Sequence, residues 1–150
     1  MKEKTNATLR RAASLRCRTD AAIARLGKAV AYYQMGAIST AELLREASAA
    51  ADRAGALELN AAELAATGSF GRSVNRKVAA YRNYACTAAC IAMGYKSNAA
   101  CRRQALAFAR TAARLGNRRT VRAAHDLLWA ATGGLPKEAE FAVLEACEMV

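Results

Sequence analysis

The sequence predicts an all-α protein folded as one compact domain, and three observations lead there. Hydrophobic residues make up 54% of the 150, but much of that is alanine; aromatics stop at 6%; and the one proline, Pro136, leaves every earlier segment free to be helical. A sheet would draw instead on β-branched and aromatic residues. A chain of this length buries enough surface to hold a core without staples. The five cysteines, Cys17, Cys86, Cys90, Cys101 and Cys147, are odd in number and lack CxxC pairing, so they read as reduced thiols.

Glycines and cap residues divide the chain into six to eight short helices. The first runs from about Thr5 to Arg18. The second starts at the cap Asp20, carries Ile23, Leu26, Val30 and Tyr33, and ends at Met35, where Gly36 can take a left-handed stop. Ser39 or Thr40 caps a third helix ending at Gly55, and a short fourth spans Ala56 to Ala66 with Leu57 and Leu64 turned inward. After the polar loop 67–72, Ser73 caps a fifth helix. Its Val74, Val78, Tyr81, Ala85, Ala88 and Ala92 recur at three- and four-residue intervals and make one apolar stripe up to Gly94. A sixth runs from Ser97 to Leu115. Asn117 caps a seventh, carrying Val121, Ala124, Leu128 and Ala131 to Gly133-Gly134, and Pro136 opens an acidic C-terminal helix over 136–149.

A weak internal repeat crosses this segmentation. Residues 35–41 and 93–99 share the pattern MGxxSxA, and each copy leads on to an Ala-Thr-Gly, at 66–68 and 131–133. Two readings stay open: a duplication of three-helix modules, 20–68 and 74–133, or the common grammar of a glycine stop followed by a serine cap. The stretch Tyr32-x3-Gly36-x-Ile38-x2-Ala41 resembles a tetratricopeptide unit, which implies a helix hairpin there.

Charge is the main functional signal. Residues 71–122 hold twelve basic side chains and no acidic one, whereas 21–70 is almost balanced and 123–150 is acidic. Solvated helix faces ordinarily mix the two signs, because like charges one turn apart oppose a helix. Ten of the twelve are arginine, whose planar fork binds phosphate through two hydrogen bonds. The expectation is a non-enzymatic protein that grips the phosphate backbone of DNA or RNA as a subunit of a nucleoprotein assembly, touching other protein subunits at its ends. The candidate contacts are Arg72, Arg76, Lys77, Arg82, Lys96, Arg102, Arg103, Arg110, Arg118, Arg119 and Arg122, with Tyr95 as the best stacking platform among Tyr81, Tyr84, Tyr95 and Phe108. The loop 68–77 adds a helix N-terminus to that set. Residues 88–103 also have the outline of a helix-turn-helix, in which Asn98, Arg102 and Arg103 would be offered to a major groove.

Two other functions compete. Arg119 and His125, with five residues between them, resemble the Arg-x4-6-His signature of the helical HEPN ribonucleases; that resemblance implies attack of an RNA 2′-hydroxyl assisted by these two residues from paired protomers. Alternatively, the basic face binds an acidic protein surface, as an adaptor or inhibitor. No Gly-Lys-Ser/Thr sequence occurs, so nucleotide hydrolysis has little support, and Cys86, Cys90 and Cys101 read as small core residues, so no cofactor or metal is expected. With no apolar run near the N-terminus and none of membrane-spanning length, the expected location is the cytoplasm and no membrane is expected as a partner.

Overall fold

The computed structural model describes residues 2–95, 98–115 and 117–150, and the side chains from residue 6 onward. Six α-helices follow one another: α1 (Lys2–Gln34), α2 (Thr40–Ala65), α3 (Ser69–Cys90), α4 (Ala99–Leu115), α5 (Arg118–Thr132) and α6 (Glu138–Glu148). No strand occurs among the described residues, and no helix among them is long and apolar enough to cross a membrane.

Two expected breaks do not occur. The first two predicted helices are one, α1, because Asp20 is not a cap: its carboxylate takes Lys77 Nζ at 2.6 Å. Thr19 beside it turns its hydroxyl back onto the carbonyl of Leu15 at 2.7 Å, which a helix interior accommodates. Likewise α2 runs straight through Gly55, a glycine in helical conformation on the exposed side. The true stops are glycines that leave the helical region, Gly36 (φ 75°), Gly94 (φ 92°) and Gly133 (φ 63°).

Start signals were mixed. Ser39 caps α2 in a reciprocal box, its Oγ accepting from Glu42 N at 3.1 Å while its own N–H donates to Glu42 Oε1 at 3.4 Å. Asn117 caps α5 as expected. In contrast, α3 begins at Ser69, ahead of the expected cap Ser73, and Pro136 stands before α6, where Lys137 is the N-cap and donates its N–H to Glu140 Oε1 at 2.7 Å. The expected cap Ser97 and the glycine stop Gly116 lie outside the described residues. With α2 unbroken, the segment 20–68 holds the second half of α1 and one further helix, whereas 74–133 holds three.

The core divides in two. The smaller cluster gathers Ala12 and Leu15 of α1, Ala61 and Leu64 of α2, and Val74 and Val78 of α3. The larger takes the other halves of those three helices and adds α4, α5 and α6. Alanine makes close approach possible, and glycine takes it further. A Cβ on Gly27 would stand 2.6 Å from Ala123 Cβ, so α1 crosses α5 there almost backbone to backbone. At Gly71 a Cβ would be 1.8 Å from the Leu64 carbonyl oxygen, which locks the start of α3 onto the end of α2. The result is a three-helix frame, α1–α3, with α4–α6 packed at one end of it.

Candidate nucleic-acid interface

Helical geometry decides which of the basic residues can act together. On α4, positions 103, 107, 110 and 114 fall on one face. Arg103, Arg110 and Arg114 are exposed there, opposite the buried stripe of Cys101, Ala105, Ala109 and Ala112. On α5, Arg118 and Arg122 share the outward face one turn apart, and Arg119 lies on its flank. None of these six arginines has a hydrogen bond or ion pair with any described residue.

Their position on the helices sharpens the point. The first turns of α3, α4 and α5 contain no acidic residue, and each contains arginine instead: Arg72, Arg102, and Arg118 with Arg119. A helix N-terminus carries about half a positive charge, so cations there are repelled by roughly 0.3–1 kcal/mol each. Arg72 and Arg76 at the start of α3 are exposed and, like the α4–α5 set, without a described partner.

Three expected contacts are engaged inside the protein. Arg102 is the clearest correction. It forks onto Glu140 of α6, with Nε to Oε2 at 2.8 Å and Nη2 to Oε1, and Nη2 also donates to the Leu135 carbonyl at 3.1 Å. The two side chains are only 12% and 6% exposed, so this arginine ties α4 to α6 and is not offered to a ligand. Its hydrogen bonds, helped by the Lys137 N–H, hold the Glu140 carboxyl below its ordinary range. Lys77 is likewise engaged, half-buried with Asp20. Arg82 bonds Glu58 at 2.6 Å, but on an exposed surface where such a pair is weak. Lys96 lies outside the described residues.

Asn98 caps the start of α4 rather than standing free: its Oδ1 accepts from Ala100 N at 2.9 Å. With Asn98 capping and Arg102 buried in its pair, the outlined helix-turn-helix keeps only Arg103 for a groove. Among the aromatics, Tyr81 and Tyr84 are fully buried. Tyr84 donates to the Ala123 carbonyl at 2.7 Å and meets Phe108 edge-on at 5.1 Å. Tyr95 is exposed. Sequence reasoning missed two exposed residues on these faces, Arg114 and Trp129. The signal for Trp129 was present in the spacing 118, 122, 125, 129, which repeats at one helical turn.

His125 sits in the middle of that face. A groove of about 660 Å³ between α5 and the end of α6 is lined by Arg118, Arg122, His125, Asp126 and Glu148 among others. Asp126 Oδ1 lies 3.6 Å from Nδ1, a close charge rather than a hydrogen bond, and Glu148 Oε1 lies 3.2 Å from Nε2. Asp126 first, then Glu148, raise the imidazole above its ordinary range against the opposing effect of burial. Arg119 is about 120° around the helix from His125, so one chain alone does not bring the two together.

The cysteines form no ligand set: among the described residues no three of His, Cys, Asp and Glu are placed to hold a metal ion. Burial, and then the charge of Cys90, push the Cys101 thiol up to about 11. A second basic groove, about 460 Å³ between α1 and α2, is lined by Arg10, Arg11, Ser14, Arg18 and Asn60, and there Arg11 is held by Glu63 at 3.4 Å.

No protein-family model matches this sequence, and neither a curated protein nor a solved structure is similar to it.

Proposed function

We propose that the protein binds the phosphate backbone of nucleic acid through the arginine face of α4 and α5, as a non-enzymatic subunit of a nucleoprotein assembly. The observation that carries this reading is the set of six exposed arginines, Arg103, Arg110, Arg114, Arg118, Arg119 and Arg122, on two consecutive helices, none of them in a described hydrogen bond or ion pair. An intramolecular role would require carboxylates, and the nearest in sequence, Asp126, is already turned to His125. Arg72 and Arg76, on the first part of α3 beside the smaller core cluster, are a further exposed cationic group. The acidic helix α6 suits contact with a neighbouring protein subunit.

Fluorescence anisotropy with single- and double-stranded DNA and RNA, from about 50 to 300 mM salt, tests the reading. Each phosphate contact contributes close to one unit of log–log salt slope. The triple variant Arg103→Gln/Arg110→Gln/Arg114→Gln is expected to bind more weakly and to lose about two to three units of that slope. No binding at the lowest salt overturns the reading and turns the same face toward an acidic protein partner.

A further inference from the structure

We propose that the strand this surface takes is single, and that Trp129 is the platform on which one of its bases stacks; this rests on the phosphate-binding reading above. Arg118, Arg122, His125 and Trp129 follow one another at intervals of four, three and four residues and so line a single face of α5, about 16 Å long. Two cations stand at one end of the face and an indole at the other.

The exposure of that indole needs a reason. Aromatic side chains are the largest contributors to a core, and this protein buries two tyrosines completely. Its one tryptophan is nevertheless left 41% exposed. The turn beyond α5 leaves the ring uncovered on one edge: the position that a side chain would fill there belongs to Gly134, in left-handed conformation at φ 80°, where a Cβ would come within 3.8 Å of Trp129 Cζ2. An indole left partly open is a surface on which a planar base gains stacking energy.

The charges on the same face select the occupant. Apolar protein surfaces gain nothing from Arg118 and Arg122, whereas a nucleic-acid strand presents phosphates to them and bases to the ring. Between these ends lie Asp126 and Glu148, which would repel a passing phosphate. The imidazole of His125 stands against both, so in its protonated form it offsets part of their charge. A duplex keeps its base faces stacked inside and offers the indole nothing, and single strands are therefore favoured.

Trp129 is the sole tryptophan, so its emission reports this site alone. The experiment titrates the full chain with a 20-nucleotide polythymidine strand and with a mixed-sequence duplex of equal length, following emission and anisotropy together. Expected are quenching by the single strand but not by the duplex, and a roughly 5- to 150-fold loss of single-strand affinity in Trp129→Ala. Trp129→Phe should retain most of the affinity, and an unchanged melting curve confirms that each variant is folded. If anisotropy shows binding while emission is unmoved and Trp129→Ala binds as the parent does, stacking is overturned and phosphate contact survives. Tighter binding of the duplex overturns it equally. If neither ligand binds at low salt, both proposals fall together.

Discussion

Arg102 and Arg103 are neighbours in the chain and differ entirely in surroundings. Arg102 is held by Glu140 and the Leu135 carbonyl with little solvent contact, and Arg103 points away from the core with no described partner. Breaking a buried ion pair from one side strands the other charge, which costs about 3 kcal/mol. In urea unfolding, Arg102→Ala is therefore expected to lose about that much stability, and Arg103→Ala less than about 0.5 kcal/mol. The pair also has a pH signature. Because Glu140 is held below its ordinary range, its contribution is present above the unfolded carboxyl's pKa and disappears as pH falls through the folded value. Acid should thus narrow the gap between parent and Arg102→Ala. The sequence could not distinguish these two arginines by composition, since the partner that decides lies 38 residues away. The helical wheel does separate them, placing 102 at the edge of the buried stripe and 103 on the far side.

For the helices, the legible part was the apolar period and the stops that coincide with left-handed glycines. What was not legible is why a given glycine is there. Gly36, Gly94 and Gly133 turn the chain, Gly55 sits inside a helix with open space around it, and Gly27 and Gly71 make room for another helix; one letter covers all three roles. The distinction is testable in a single thermal-melting series. Gly27→Ala should lose about 1–3 kcal/mol, because the new methyl group meets Ala123 and pushes α1 from α5. Gly55→Ala should gain about 0.5–1 kcal/mol, because it removes a flexible residue from a helix at no steric expense. Equal effects at the two positions would contradict the close crossing. The merged α1 has a similar lesson. Asp20 had the chemistry of a cap, and only its ion pair with Lys77, 57 residues on, assigns it otherwise.

Across the whole molecule, the concentration of charge could be counted directly from the sequence, and its sidedness followed once the helix register was known. The engaged fraction could not: pairing of Lys77, Arg82 and Arg102 depends on which helices pack together. The remaining arginines repel one another, and Arg72, Arg118 and Arg119 also stand in the first turns of their helices, where a cation is unfavourable. Sodium chloride screens such repulsion over about 8–10 Å at physiological strength. The melting temperature should accordingly rise between about 20 and 300 mM salt, by about 2–4 °C for each kcal/mol relieved. The rise should shrink in Arg103→Gln/Arg110→Gln/Arg114→Gln. A melting temperature indifferent to salt would mean that the charges are compensated within the chain.

The division of the core into a frame and a later set of helices has a consequence during translation, because a ribosome delivers the chain from its N-terminus. The smaller cluster draws only on α1, α2 and α3, so every residue it needs has been made by Val78. The Gly27 surface must then wait until Ala123 emerges. Residues 1–122 hold twenty-two basic and seven acidic side chains, and when they have been made Arg102 still lacks Glu140. Residues 123–150, with five acidic side chains against one basic, bring the acidic helix and close that pair. Between the synthesis of Arg122 and that of Glu140, the arginine hairpin is therefore without the carboxylates of α6, beside the polyanionic ribosome that is making it.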